Sequence, residues 1–418
     1  MNRFYSDTEL KYIPRWLTGA LGDALRQFPV VVLTGARQVG KSTLLRHAEP
    51  LAGWKYYTLD DFDVLQQVER DPRALWAGTL NLIIDEVQKA PQLLPAVKRA
   101  VDESDRQIRF VLSGSANLML MQHVSESLAG RAVYFVLHPI TPGEVARKAA
   151  PTILLELLAG SLPEERQVSQ SLDLFPEILR GWMPALLPLE TSQAILQWWE
   201  GYIATYLERD LRQIAQIDSL VDFRRVMQLL ALRTGQLLNQ SEVARDASLT
   251  QPTTHRYINL LEATYLLQRL PAYSASRTTR LVKSPKVHWA DSALAIYLAG
   301  YYDLQSLLQA REWGNLYETF VVQNLRVLAE LLTPRAHLSF WRTTTGKEVD
   351  VVIEQGRRLV ACEIKLSESV SFFDADALRA FLVEHPKNAV GLVIYRGDAI
   401  KRLDEKIVAL PLGLLLGV

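Results

Sequence analysis

The sequence contains a single cysteine, Cys362, among 418 residues. One cysteine excludes a disulfide framework within the chain and a cysteine-based zinc site. No apolar run approaches the roughly 20 residues that a membrane-spanning helix needs. The opening residues Met1–Asp7 carry no apolar segment of the kind found in signal peptides. We therefore expect a cytoplasmic protein with no membrane partner.

The chain also lacks an excess of charge of either sign. Lys and Arg together number 46, and so do Asp and Glu. The overall charge therefore attracts the chain to neither nucleic acid nor membranes, and any basic surface must be local. Hydrophobic residues make up 49% and charged residues 22%, which indicates a globular chain rather than a disordered one. Its length is typical of roughly two to four domains.

Short β-branched and apolar runs alternate with amphipathic segments over residues 1–140. Strands that alternate with helical patterns indicate a mainly parallel sheet with crossover helices. We therefore predict an α/β fold for this region. The candidate strands are Val30–Thr34, Lys55–Leu59, Leu80–Asp85, Ile108–Ser113 and Val133–Leu137.

Three further regions are predicted after the first one. Residues 141–224 begin with many prolines and continue with a helical pattern, which is typical of a lid or connector. Residues 225–290 predict a winged helix-turn-helix. Residues 300–418 predict a smaller α/β domain that contains a long helix, a hairpin, another helix and a strand.

A glycine-rich segment follows the first predicted strand and opens a helical pattern. Its sequence over residues 35–42 fits GxxxxGK[ST]. Glycines let backbone N–H groups turn toward phosphates, and the helix N-terminus adds its partial positive charge. Lys41 is expected to reach the β- and γ-phosphates of ATP, and the Ser42 hydroxyl to ligate Mg²⁺. The predicted nucleotide-binding residues are Gly35, Ala36, Arg37, Gln38, Val39, Gly40, Lys41, Ser42 and Thr43.

Two carboxylates end the third predicted strand. Asp85 can hold the hydration shell of Mg²⁺, and Glu86 can orient or deprotonate the attacking water. The next predicted strand ends in Ser113, and this residue or Ser115 could sense the γ-phosphate. An ordinary strand-to-helix turn with Ser115 as the helix cap is an equal alternative.

The phosphate loop, the Asp-Glu strand and the Ser-Gly-Ser strand resemble those of AAA-type ATPases. The segments 12–15, 35–41, 127–131 and 206–211 are similar to a prokaryotic subgroup with a C-terminal nuclease-like domain. The resemblance covers nearly the whole chain. It implies that Arg131 senses the γ-phosphate or acts between subunits, and that the ATPase domain can form a homo-oligomer. From the residues alone, Arg131 is a cation that follows a helix-ending glycine.

Residues 239–261 predict two short helices joined by a turn. Ser241 would cap the first helix, and residues 251–261 would form the second. Residues 265–270 would then form a wing strand. This order of elements is typical of a winged helix, which binds DNA or packs between domains.

Positive charge gathers in the same region. Residues 231–290 contain eight Lys or Arg and three Asp or Glu. The basic residues at its end are Arg277, Arg280, Lys283 and Lys286. A winged helix usually directs its second helix toward the DNA groove and its wing toward phosphates. The groove-facing residues would be Gln251, Thr253, Thr254, His255 and Arg256, and DNA is the predicted partner.

Residues 348–353 and 359–365 are two alternating runs that predict a hairpin. A loop of even length at residues 356–357 places Asp350 opposite Glu363, with one face apolar and the other carrying every charge. Two carboxylates directly opposite each other destabilise a sheet, and a divalent cation would reverse that cost. Because both side chains supply hard oxygen ligands, we predict a Mg²⁺ or Mn²⁺ site.

A helix over residues 313–332 would bring Glu318 to an apolar face, where its carboxylate needs a partner such as the metal. Lys365 lies on the charged hairpin face and could position or activate a water. Glu318, Asp350, Glu363 and Lys365 resemble the PD-(D/E)xK restriction-endonuclease-like active site. The alternatives are a solvated hairpin with a Glu348–Lys365 pair, and a nuclease fold that has lost its activity.

Two functions are consistent with these patterns. The first is an ATPase that drives or licenses a DNA-directed nuclease domain. The second is a switch in which ATP turnover controls binding of DNA or protein, while the C-terminal domain does not cut.

Overall fold

The computed structural model describes residues 12–114, 128–168, 173–205, 217, 219–274, 280 and 283–418. The chain divides into two compact units. The first comprises Met1–Ile140, Met183–Pro188 and Ala263–Tyr265, and the second comprises Thr141–Trp182, Leu189–Glu262 and Leu266–Val418. The fold class is α/β, as the sequence predicts.

A parallel five-stranded sheet forms the centre of the first unit. Its strands are β1 (Val30–Thr34), β2 (Lys55–Thr58), β3 (Asn81–Asp85), β4 (Arg109–Ser113) and β5 (Ala132–Val136). They lie in the order β2-β3-β4-β1-β5, and every neighbouring pair is parallel. All residues of β1 are buried, as expected for a strand that is covered on both faces. The five predicted strands are confirmed, with small shifts at their ends.

Helices cover this sheet because their apolar residues recur at helical spacing. The helices of the first unit are α1 (Leu17–Gln27), α2 (Lys41–His47), α3 (Phe62–Arg70) and α4 (Leu93–Glu103). Helix α4 buries Leu94, Val97 and Val101 in the same core as Ile84 of β3 and Leu112 of β4. This packing fixes the carboxyl ends of β3 and β4 beside each other.

The second unit begins with helices. They are α5 (Pro142–Val145), α6 (Ile153–Leu158), α7 (Phe175–Arg180), α8 (Ser192–Tyr202) and α9 (Leu220–Leu232). The 206–211 segment of the family resemblance lies outside the described residues.

Two short helices and a two-stranded sheet follow in the predicted order. They are α10 (Gln240–Ala247), α11 (Gln251–Ala263), β7 (Leu267–Leu270) and β8 (Lys286–Trp289), with β7 and β8 antiparallel. Asn239, and not Ser241, caps α10: its side chain accepts the N–H of Glu242 at 3.2 Å. The prediction of Ser241 as the cap is therefore wrong, because the helix starts before that residue.

A seven-stranded mixed sheet is the second large sheet of the structure. Its order is β6-β13-β14-β12-β11-β10-β9. The strands are β6 (Arg166–Gln167), β9 (His337–Arg342), β10 (Glu348–Gln355), β11 (Arg358–Ile364), β12 (Ala389–Tyr395), β13 (Ala399–Asp404) and β14 (Ile407–Pro411). The accompanying helices are α12 (Ser292–Ala299), α13 (Leu304–Leu308), α14 (Trp313–Glu330), α15 (Asp376–Glu384) and α16 (Leu412–Leu416). In the part of the chain described, no helix is long and apolar enough to cross a membrane.

Strands β10 and β11 form the predicted hairpin in the predicted register. Val351 lies opposite Cys362, and the two-residue turn occupies positions 356–357. Asp350 and Glu363 follow directly after the last observed pair, Val351 and Cys362. The hairpin is not solvated, because β9 and β12 flank it and Val352 on its charged face is fully buried. The alternative of a solvated hairpin is therefore wrong.

Candidate functional site

The phosphate loop connects β1 to α2, and its backbone conformation depends on glycine. Gly35 has φ +144°, and a Cβ at this position would lie 2.2 Å from the carbonyl oxygen of Leu137. Gly40 has φ +94° directly before the first residue of α2. Gln38 also has a positive φ, of 70°. The positive φ angles at these three positions turn backbone N–H groups toward the inside of the loop. The loop therefore forms a concave site for an anion at the start of the helix.

Lys41 lies inside this loop. Its Nζ donates hydrogen bonds to the carbonyl oxygens of Gly35 at 3.0 Å and Ala36 at 2.9 Å. Its side chain is buried, and burial lowers its pKa to about 8, although the charges of Glu86 and Asp85 oppose that shift. The negative oxygens of a bound triphosphate would stabilise the charged form of this buried lysine. The lysine is thus held at the position where phosphates would bind.

Asp85 is the most constrained carboxylate of this unit. It is buried at the end of β3, where the Ser113 hydroxyl donates to Oδ1 at 2.5 Å and the Tyr56 hydroxyl donates to Oδ2 at 2.7 Å. The backbone N–H of Glu86 also donates to Oδ1, at 3.0 Å. Ser113 therefore orients Asp85. Ser115, the other predicted γ-phosphate sensor, lies outside the described residues.

Glu86 adopts the left-handed backbone conformation, with φ 58°. This conformation is uncommon for a residue other than glycine. Burial raises the pKa of its carboxyl group, and a hydrogen bond from Gln88 partly opposes the shift. A carboxylate with a raised pKa accepts a proton more readily, which suits a general base.

The donor set beside the loop fits Mg²⁺. Asp85 offers carboxylate oxygens, and Ser42 offers a hydroxyl in the first turn of α2. Hard oxygen donors of this kind, together with phosphate oxygens, are the usual ligands of Mg²⁺. When it is bound with ATP, the ion would neutralise charge that develops on the phosphates.

Arg131 does not lie at the phosphate loop. Its carbonyl oxygen accepts the N–H of Val30 at 3.3 Å, so Arg131 lies where β1 begins, whereas the loop follows the end of that strand. Five residues of strand separate the two edges by roughly 16 Å. Its guanidinium pairs with Asp102 at 2.7 Å. The assignment as a γ-phosphate sensor of its own subunit is therefore corrected, and an inter-subunit role stays a prediction.

Lys286, the first residue of β8, lies among three carboxylates of the second unit. Its Nζ is 3.0 Å from Glu318, 2.6 Å from Glu348 and 3.8 Å from Asp350. The side chain is 4% exposed. Burial alone would lower its pKa, but the carboxylates raise it above the ordinary value, so the group is an ammonium. The prediction that Lys286 belongs to an exposed basic wing is wrong.

A second lysine, Lys365, completes the cluster. Its Nζ lies 3.0 Å from Glu363, so the alternative Glu348–Lys365 pair is not formed. The Asp350 carboxylate accepts a hydrogen bond from the backbone N–H of Ile364 at 2.8 Å. Burial, and then the charge of Asp350, raise the pKa of both Glu318 and Glu363 to about 8. Glu348 also lies 3.6 Å from the Arg342 guanidinium, and Lys365 lies 3.9 Å from Asp374, so the cluster extends beyond the two lysines.

The predicted metal site fits this cluster poorly. Glu318, Glu348 and Asp350 have suitable oxygen donors, but these already contact the Lys286 ammonium. No group of three or more His, Cys, Asp or Glu in the described ranges could hold a metal ion. A divalent cation would meet the positive charge of Lys286 at close range. The geometry therefore does not support Mg²⁺ or Mn²⁺ at Asp350 and Glu363.

Sequence reasoning missed the roles of two residues. Tyr56 lies on β2 beside β3, and a predicted strand order would have brought it near Asp85. Lys286 stands in the sequence as one basic residue among several. The signal that could have found it was the predicted grouping of Glu318, Asp350 and Glu363. Carboxylates that gather in this way require a nearby cation, but the pattern does not say whether the cation is a metal or a lysine.

The comparison with protein families supports the site at the phosphate loop. Residues 27–146 match an AAA domain. Residues 172–305 match a domain of unknown function (DUF8612), and residues 313–415 match another (DUF4143). Uncharacterized proteins of Mycobacterium tuberculosis and Mycobacterium bovis are each 32% identical over 393 residues, which cover 93% of this chain and 81% of theirs.

Among solved structures, the chain has a partial match. The Walker-type ATPase of Pyrococcus abyssi is 16% identical and has a TM-score of 0.47, covering 71% of this chain and 98% of its own. The phosphate loop, the Asp85–Glu86 strand end and the AAA domain match define a P-loop ATPase. The chain belongs to the same family as the two mycobacterial proteins.

Tyr56→Phe should lower kcat for ATP by about tenfold with a smaller change in KM. The variant loses the hydroxyl that donates to Asp85, and hydrogen bonds to charged groups contribute about 1.5–3 kcal/mol. Steady-state phosphate release at several Mg²⁺ concentrations measures the effect. Tyr57→Phe, on the adjacent position of β2, is the matched control. Equal kinetics for both variants would mean that the Tyr56 hydroxyl does not position Asp85.

Proposed function

We propose that the protein is an ATP-hydrolysing switch that binds DNA, and that its C-terminal nuclease-like domain serves binding and does not cut. The observation that carries the ATPase part is Lys41 buried inside the phosphate loop, with its Nζ 3.0 Å from the Gly35 carbonyl oxygen. It is accompanied by the buried Asp85 at the end of β3, which Ser113 holds at 2.5 Å. The Lys286 ammonium among the C-terminal carboxylates favours the switch over a working nuclease.

In this proposal each residue of the ATP site has one task. The loop N–H groups and Lys41 bind the β- and γ-phosphates. Asp85, oriented by Tyr56 and Ser113, would hold Mg²⁺ together with Ser42. Glu86 orients the attacking water and takes its proton.

The DNA part of the proposal rests on the exposed face of α11. Gln251, His255 and Arg256 are exposed there, whereas Thr254 is fully buried and cannot reach a base. His255 bonds to Asn259 at 2.9 Å, which holds two polar side chains one helical turn apart. Amide and imidazole groups at this spacing on a helix are suited to base edges in the major groove.

The basic charge available to DNA is smaller than the sequence predicts. Most basic side chains of residues 231–290 already pair with carboxylates, and Arg277 lies outside the described residues. The paired ones are Arg233, Arg245, Arg269, Arg280 and Lys286. Lys283 and Arg256 are exposed, and the Arg256 guanidinium lies 5.5 Å from the centre of the Tyr257 ring. Because both side chains reach solvent, we take them as candidates to bind phosphates.

Replacing Lys283 and Arg256 with Ala should weaken DNA binding for all sequences. The dependence of log K on log salt should flatten by about one unit for each phosphate that the variant no longer binds. Fluorescence anisotropy with a labelled duplex at several salt concentrations measures the slope. Lys387→Ala removes an exposed lysine from the C-terminal domain and serves as the control. If the double variant keeps the wild-type slope, Lys283 and Arg256 do not bind DNA phosphates, and the predicted winged helix serves packing between domains.

The proposed function is tested by two assays run together. ATP turnover is measured with and without DNA, and cleavage of plasmid and single-stranded DNA is measured with Mg²⁺ and with Mn²⁺. The switch predicts ATP turnover that responds to DNA, with no cleavage. Metal-dependent cleavage that Asp350→Asn abolishes would establish a nuclease instead.

A further inference from the structure

Arg15 lies two residues before α1, and its side chain is buried in the first unit, with 6% exposed. Its guanidinium donates hydrogen bonds to three backbone carbonyl oxygens. The acceptors are Val39 at 3.0 Å, His138 at 2.7 Å and Pro139 at 3.3 Å. Val39 belongs to the phosphate loop, whereas the other two residues follow the end of β5. One buried side chain thus joins the phosphate loop to the segment after β5.

The bond to Val39 fixes the direction of one peptide group of the loop. In a trans peptide such as Val39–Gly40, the C=O group and the N–H group point in opposite directions. Because the Val39 carbonyl is directed at Arg15, the Gly40 N–H points away from the guanidinium. Gly40 directly precedes α2, so its N–H is among those at the helix start that can bind an anion. A donor whose direction is fixed in advance needs no reorganisation when the ligand binds.

Arg15 and Lys41 hold opposite ends of the phosphate loop. Lys41 donates to the carbonyl oxygens of Gly35 and Ala36 at the start of the loop. It would have to give up at least part of these bonds in order to bind the β- and γ-phosphates. Arg15 lies on the carbonyl side of the Val39–Gly40 peptide, so a phosphate on the N–H side does not compete for it. Arg15 can therefore keep the end of the loop in place while a nucleotide is bound.

We propose that Arg15 is a positioning residue of the ATP site, which directs the Gly40 N–H toward the β-phosphate and does not itself contact the nucleotide. Backbone N–H groups of a phosphate loop bind the α- and β-phosphates, which ATP and ADP share. Loss of Arg15 should therefore weaken the binding of both nucleotides by a similar factor. Hydrolysis of bound ATP depends on Asp85 and Glu86, which the substitution leaves in place. This inference rests on the ATP site proposed above.

The experiment measures nucleotide affinity and turnover in the full chain. Calorimetric titration with ADP and with a non-hydrolysable ATP analogue, both with Mg²⁺, gives Kd and stoichiometry, and phosphate release gives kcat and KM. Arg15→Gln should raise both Kd values and the KM by about tenfold, because hydrogen bonds from charged groups are the strong ones. At saturating ATP, kcat should change by less than about twofold.

Two further variants accompany Arg15→Gln. Arg15→Lys keeps the charge but loses the planar fork that reaches several carbonyl oxygens at once, so both Kd values should rise by a smaller factor, about threefold. Arg26→Gln removes an exposed arginine from the last turn of α1 and should behave as wild type.

The stoichiometry separates positioning of the loop from a purely structural role. If Arg15 only stabilised the fold, Arg15→Gln would contain fewer competent molecules, each with the wild-type Kd. Lower stoichiometry and lower kcat at unchanged Kd would therefore overturn the proposal. A Kd raised for the ATP analogue alone would also overturn it, because this result indicates direct contact with the γ-phosphate. If Arg15→Gln does not fold, Arg15→Lys decides, and wild-type Kd values in that variant would refute the positioning role. A wild-type chain that binds neither nucleotide would instead refute the ATP site itself.

Discussion

Glu86→Gln should abolish ATP turnover and leave ATP binding nearly unchanged. The amide keeps the size of the side chain but cannot take a proton from water. General-base catalysis contributes about 10²–10⁴-fold, and we expect kcat to fall by a factor in this range. Phosphate release measures turnover, and calorimetric titration measures binding. Lys41→Ala should differ from it by weakening ATP binding itself, because it removes the positive charge that contacts the β- and γ-phosphates. Wild-type turnover in Glu86→Gln would show that another group is the base.

The pH dependence of the wild-type enzyme gives an independent check on Glu86. Burial raises the pKa of its carboxyl group, and the base acts only after losing its proton. Turnover should therefore fall, as the pH drops, at a higher pH than the ordinary glutamate pKa of about 4.3. Gln88 donates a hydrogen bond that lowers this pKa. Gln88→Ala should move this fall in turnover to still higher pH. If the fall occurs at the same pH in Gln88→Ala as in wild type, the group that titrates is not Glu86.

Local patterns predicted the fold of the ATP-binding unit and the residues of its phosphate loop. The run Val30–Thr34, the glycines that follow it and the Asp-Glu pair each carry their signal within a few neighbouring residues. The hairpin of β10 and β11 was also predictable in register. Its two-residue turn fixes the pairing, and a slip by one residue would exchange its faces.

Contacts between distant segments were not predictable in the same way. Lys286 lies 32 residues before Glu318 in sequence, and its neighbours suggested an exposed basic loop. Arg280 likewise pairs with Glu354, 74 residues away. Arg131 follows a helix-ending glycine, but only the pairing of β5 with β1 reveals at which edge of the sheet it lies. In each case the tertiary arrangement selects the partner, and no local pattern specifies it.

Lys286→Met should be strongly destabilising. It keeps an unbranched apolar stem but leaves the carboxylates of Glu318, Glu348 and Asp350 without their ammonium. Removal of one partner of a buried ion pair costs about 3–5 kcal/mol, because the remaining charge is buried and uncompensated. Denaturant unfolding of wild type and variant at the same pH measures the difference in the free energy of unfolding. Lys283→Met, at an exposed position, should change it by less than about 0.5 kcal/mol.

The pH dependence of this loss has a definite sign. Burial already raises the pKa of Glu318 to about 8, and removal of Lys286 raises it further. A carboxylate whose pKa is raised in the folded state binds protons on folding, so stability falls as the pH rises. The difference between variant and wild type should therefore grow as the pH rises through about 8, where folded wild type loses the Glu318 proton and the folded variant still binds it. It should be smaller at lower pH, where Glu318 is protonated in both folded proteins. Lys286→Met with Glu318→Gln should recover part of the loss, because one of the three charges is gone. A loss that is independent of pH, and unaffected by Glu318→Gln, would place the lysine outside the carboxylate cluster.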